Sequence, residues 1–189
     1  MGSKRQLVVF LTFVVGIVLL LTLIFRHNPG GSKTDPKIPK AFVLTDYITK
    51  DSEVSMVEDG RINGDDVHRS IRITVNRNMR TLEVIQGYQG KVITTQSYPN
   101  NQEAYDAFMH ALAKTGFGKS RKAAISNVDG VCANGRRYLY NVTESGDPIS
   151  YTWTADCQKG TSPVLIGNVT SLFRRQITDY DRIANRVDL

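Results

Sequence analysis

The sequence predicts an α+β domain, an antiparallel sheet with two helices on one face, carried behind a single N-terminal transmembrane helix. Three observations predict it. An uncharged apolar run occupies residues 7–25, short alternating apolar–polar segments recur between 70 and 157, and two amphipathic stretches follow near 101–116 and 168–180.

Between Leu7 and Phe25 only Thr12, Gly16 and Thr22 interrupt the apolar run. A helix rising about 1.5 Å per residue covers about 28 Å over that length, which matches the hydrocarbon core of a bilayer. The run is too long for the apolar centre of a typical signal peptide, and Arg26-His27-Asn28-Pro29-Gly30 behind it offers no small-x-small cleavage site. A buried core helix would carry a polar stripe, and this one has none. Residues 1–6 therefore read as a short tail and 7–25 as an uncleaved anchor in the lipid bilayer. Basic residues lie on both sides of it (Lys4 and Arg5 before, Arg26, Lys33, Lys37 and Lys40 after), so flanking charge does not decide the orientation. The short leading tail and the cysteines favour an extracytoplasmic domain. Residues 28–39, NPGGSKTDPKIP, have linker composition, which makes 26–40 a flexible linker and 41–189 the domain.

Within the domain Ile71, Ile73 and Val75 alternate with Ser70, Arg72 and Thr74, the period of a strand with one buried face. Asn76-Arg77-Asn78 turns into a second strand at 81–87, and Gly87-Tyr88-Gln89-Gly90 into a third at 91–98. A weaker strand at 53–57 precedes them, closed by Asp59-Gly60. A helix is expected from Asn100 or Asn101, since an asparagine cap with Glu103 three residues on satisfies orphan backbone donors. Ala104, Tyr105, Phe108, Met109 and Leu112 share one face, and Gly116 closes the helix in the left-handed conformation. Strands follow at 136–143 and 149–157, joined by Glu144-Ser145-Gly146-Asp147-Pro148. A last helix starts near Asn168, with Val169, Leu172, Phe173, Ile177 and Tyr180 inward. Hairpin-then-helix thus occurs twice, a pseudo-repeat in order without matching residues.

Folding the second hairpin about Gly146 brings Cys132 and Cys157 to its open end, with Asn134-Gly135 as a bulge, near the separation a disulfide needs. A Cys132–Cys157 disulfide is expected.

The net charge of +6 is spread along the chain: Lys4 and Arg5 in the tail, 12 basic against 11 acidic residues in 26–114, and 10 against 7 in 115–189. That excess suits anionic lipid or an acidic polymer and is too diffuse for a nucleic-acid binder. The candidate anion-binding residues are Arg136, Arg137, Arg174 and Arg175, provided that the fold brings them to one face.

Other motifs fail on inspection. Gly116-Phe117-Gly118-Lys119-Ser120 ends like a phosphate loop, but Ala113 stands where the first glycine belongs and a helix precedes it. Asp59, Asn63, Gly64, Asp65 and Asp66 hint at a calcium loop, yet the register puts Arg61 at a ligand position and Ser70 where the closing glutamate belongs. His27, His68 and His110 lack metal-ligand spacing, and no G-x-S-x-G elbow occurs. No catalytic, cofactor or metal residue is assigned.

His68-Arg69-Ser70-Ile71-Arg72-Ile73, residues 82–88, Gly130-Val131-Cys132, residues 153–157 and residues 172–180 give a layout that resembles an uncharacterised group of membrane-anchored extracytoplasmic proteins of reduced-genome bacteria. The resemblance implies the anchor, an envelope setting and the cysteine pair, and no site. The expected function is a membrane-tethered interaction module that binds an envelope protein or joins a surface assembly. The alternatives are a tethered enzyme or enzyme regulator acting on cell-wall or peptide substrates, and an anionic-polymer binder.

Overall fold

The computed structural model describes residues 41–189 together with Val15 and Ile17, both helical and exposed. The chain divides into two units, Met1–Lys40 and Ala41–Leu189. Apart from those two residues, the expected anchor at 7–25 and linker at 26–40 lie outside the described residues. Among the described residues no helix is long and apolar enough to cross a membrane.

The second unit is α+β. Its strands β1 (Ser52–Asp59), β2 (Arg69–Asn76), β3 (Met79–Gln86), β4 (Lys91–Pro99), β5 (Arg137–Glu144) and β6 (Asp147–Ala155) form one antiparallel sheet, ordered β4-β3-β2-β1-β5-β6. The helices are α1 (Gln102–Thr115), α2 (Ile166–Arg174) and α3 (Tyr180–Ala184), and a 3-10 turn, Leu44–Tyr47, precedes β1. Register follows the apolar alternation, because a slip of one residue would turn the whole apolar set to solvent. Val54 thus faces Val75 and Val142 on its two sides, Met56 faces Ile73 and Tyr140, and Leu82 continues the row opposite Ile73.

Of the two asparagines expected to cap α1, Asn101 does so: its side chain accepts from the Ala104 N–H at 2.8 Å. Asn100 instead donates through its side-chain amide to Asn76 O at 2.6 Å, tying the helix start to the β2–β3 turn. Gly116 ends α1 at φ 83, in the left-handed region. Tyr105, Phe108, Met109 and Leu112 bury against the sheet, and Phe108 meets Phe173 of α2 edge-on at 5.3 Å between centroids. Each such side chain contributes about 1.5–3 kcal/mol by leaving water.

The single last helix expected from the sequence is two helices. Between α2 and α3 stand Arg175, Gln176, Ile177, Thr178 and Asp179, of which the last three are weaker helix formers than the first two. The break lets Ile177 and Tyr180 reach the core that Val169 and Phe173 already occupy, while Thr178 and Asp179 stay exposed.

The opposite face of the sheet is closed over at the β6 end. Trp153, 1% exposed, donates from Nε1 to Ser126 O at 3.0 Å and from its backbone N–H to Thr161 Oγ1 at 3.1 Å. The Ser162 N–H returns a bond to Trp153 O at 2.9 Å. Gly160 lies so close that a Cβ there would overlap Trp153 O and the indole ring. The Cys132–Cys157 disulfide closes the open end of the β5–β6 hairpin with its Cα atoms 5.8 Å apart, as expected. At the closed end Ser145 and Gly146 both take positive φ, which a tight hairpin turn demands.

Candidate functional site

Two acidic residues end β1, and the pleat sends them to opposite faces. Glu58 points under the helices and is fully buried. It accepts from Arg136 Nη1 at 2.7 Å, from Arg174 Nη2 at 3.1 and 2.8 Å, and from the Tyr180 hydroxyl at 3.2 Å. The two guanidiniums reach it from the side, since Arg136 and Arg174 are 41% and 38% exposed. Neighbouring hydroxyls are held neutral. Burial and then the charge of Glu58 push the Tyr138 phenol up to about 12. Burial, again with Glu58, raises Tyr180 and Tyr140 further. The Tyr140 hydroxyl, like Thr152 Oγ1 across the strand pair and Thr170 Oγ1 on α2, is buried without a partner among the described residues.

Asp59 serves the other face. Its Oδ2 pairs with Arg137 Nη2 at 2.7 Å and its Oδ1 lies 2.9 Å from His68 Nε2. Arg137 also donates to Gly60 O at 2.6 Å, and His68 Nδ1 lies 3.1 Å from Arg61 O. Each ring nitrogen of His68 thus lies within hydrogen-bond distance of an oxygen. The ring is 3% exposed and stacks on Tyr88 at 4.2 Å between centroids. Tyr88 in turn donates its hydroxyl to Asn63 O at 2.9 Å, and Asp65 Oδ1 accepts from the Tyr88 N–H at 2.7 Å. The residues that hinted at a calcium loop thus pin a loop in place, and His68 is buried inside it.

The four candidate arginines therefore do not share a face. Arg136 and Arg174 meet at Glu58, Arg137 lies across the sheet on Asp59, and Arg175 is exposed beside Arg174 in a depression of about 390 Å³ next to α2. Consecutive strand residues alternate sides, and that alone separates Arg136 from Arg137. Sequence reasoning missed Glu58, although it continues the inward series Val54, Met56 by two. That spacing was the available signal.

The open surface lies at the other end of the sheet. β4 pairs with β3 only, and all but Tyr98 of its nine residues are exposed. No other described residue bonds the free backbone edge of 92–98. Beside it, under the same face as the helices, a groove of about 510 Å³ runs between β4 and α3. Val84, Ile183 and Val187 make its apolar part, and Arg69, Arg182 and Arg186 its charged part. The β6 edge differs. Residues 158–162 bond to Trp153 and Ala155 there, and Pro148 removes a donor at its start.

No protein-family model matches the chain, and no curated protein matches it.

Proposed function

We propose that the protein is a membrane-tethered, extracytoplasmic interaction module that binds a protein partner of the cell envelope. The observation that carries this reading is the bare β4 edge beside a basic, partly apolar groove, on a domain whose opposite edge is covered at Trp153 and Ala155. An edge with unmet N–H and C=O groups is a template for another chain. Two further facts support the setting. The uncharged run at 7–25 has the length of an anchor, and the Cys132–Cys157 disulfide is characteristic of oxidising compartments. The envelope of a reduced-genome bacterium fits both, on the resemblance given above.

The competing readings draw less support. His68 of the Asp59–His68 pair is buried under Tyr88 and Asp59 is already paired with Arg137, which gives the pair little support as a site for cell-wall or peptide substrates. An anionic polymer would have to compete with Glu58 and Asp59 for three of the four candidate arginines.

Membrane crosslinking of intact cells, with protease then added from outside, tests the proposal. The domain is expected to be degraded while cytoplasmic proteins survive, and to form a discrete crosslinked adduct before digestion. A protected domain, or a chain that stays alone under crosslinking, overturns it.

A further inference from the structure

Building on that reading, we infer that the free edge of β4 and the groove beside it form the docking site for an extended acidic polypeptide, which adds to the sheet as a seventh strand. The strand chemistry comes first. Residues 92–98 read VITTQSY, with four β-branched residues and no charge, so nothing in the segment repels an incoming strand. Lys91 and Pro99 guard only the two ends.

Charge selects the occupant. Arg69 donates from Nη1 to the carbonyl oxygens of Asp66 and His68, each at 2.8 Å, so no carboxylate meets its charge. The Arg186 side chain has no partner among the described residues. Asp188, the acidic residue of the groove, is taken by Arg61 at 2.5 Å, and Arg182 is held by Asp179 at 2.9 Å. Two guanidiniums thus face the groove with their charge unmet. A strand added to β4 sends every second side chain to this face, alongside Thr94 and Gln96. Carboxylates at alternate positions reach the arginines, with their methylene stems over Val84 and Ile183, while the residues between them point to the other side of the sheet.

The same geometry disfavours a second copy. Antiparallel pairing of β4 with itself centres on Thr95 and puts both grooves on one side of the joined sheet. Both grooves would then present arginines, and neither copy would bring a free groove carboxylate to the other, since Asp188 is held by Arg61.

The full chain in neutral detergent micelles is titrated into a labelled peptide, acetyl-Thr-Glu-Val-Glu-Val-Glu-Thr-amide, and fluorescence anisotropy is read. Two controls are the analogue with lysine for glutamate and the acidic peptide N-methylated at alternate residues. The acidic peptide is expected to bind, and both controls to bind at least about tenfold more weakly, because each loses charge-assisted or ladder hydrogen bonds. The exposed substitution Arg186→Glu is expected to weaken the acidic peptide by about tenfold or more, with an unchanged unfolding midpoint. Equal binding of the N-methylated peptide overturns strand addition in favour of a simple anionic site. Equal binding of the lysine analogue overturns the charge assignment, and a dimer that excludes the peptide assigns the edge to a second copy. If the peptide fails while the chain still forms its adduct in membranes, this site falls and the tethered interaction module stands.

Discussion

Glu58 offers a test of how the domain tolerates a charge in its core. In the variant Arg136→Met/Arg174→Met the carboxylate stays fully buried and keeps one of its partners, the Tyr180 hydroxyl at 3.2 Å. Each hydrogen bond to a charged group is worth about 1.5–3 kcal/mol, and stripping a buried charge of its counter-ions costs about 3–5 kcal/mol. Either single arginine substitution should fall near the low end, about 1.5 kcal/mol, because the other guanidinium remains and both are over a third exposed. Glu58→Gln keeps the shape and removes the charge, while the two arginines turn to water, so about 1–2 kcal/mol is expected. The order is the point: the double arginine variant loses more than Glu58→Gln, and adding Glu58→Met to the double variant restores most of the loss. Urea unfolding of the full chain in detergent, followed by the fluorescence of its single tryptophan, Trp153, reads the midpoints at constant slope. A double variant no less stable than Glu58→Gln would refute the argument that the buried carboxylate controls this region.

Three further outcomes are expected. Replacing Cys132 and Cys157 together by serine should cost about 3 kcal/mol, since the bond closes a loop of 25 residues in the unfolded chain; unchanged stability, or free thiols in the native protein by mass, contradicts this. Stability should hold up to about pH 10 and fall above it. There the unfolded tyrosines release protons, while Tyr138 (raised to about 12), Tyr140 and Tyr180 keep theirs, and each contributes a loss of about 1.4 kcal/mol per pH unit. Tyr138→Phe should make that fall shallower, as denaturant midpoints across the alkaline range will read. Gly160→Ala should lower stability by about 1–3 kcal/mol by forcing the Trp153 cover apart, with a red-shifted tryptophan emission; an unshifted spectrum and midpoint would argue against close packing there.

Local features were legible in the sequence because local physics sets them. The alternation Ile71, Ile73, Val75 placed β2 to within a residue at each end, and Gly116 marked the close of α1. The disulfide was legible because a hairpin relates Cys132 to Cys157 through one turn. β1 was cut short at Val57, since a charged pair reads as a strand end until the long-range partners Arg136, Arg174 and Arg137 are known. The groove was hidden for the same reason. Its walls come from the β1–β2 loop, β3, β4 and the α3 region, which no sequence period connects.

The strand order has a consequence for the nascent chain. β1 to β4 form a meander of neighbours, and α1 follows at once to cover part of its apolar side. The strand that completes β1, β5, leaves the ribosome only after α1 and the long loop behind it. Pairing across that distance is the slow step in such topologies. Until it occurs β1 is an outer strand, and Val54 and Met56 lack Val142 and Tyr140 beside them. A chain stalled at this stage has two sticky margins and is prone to aggregate. Arrival of the β5–β6 hairpin removes one of them for good, and leaves β4 as a margin that no other described residue pairs.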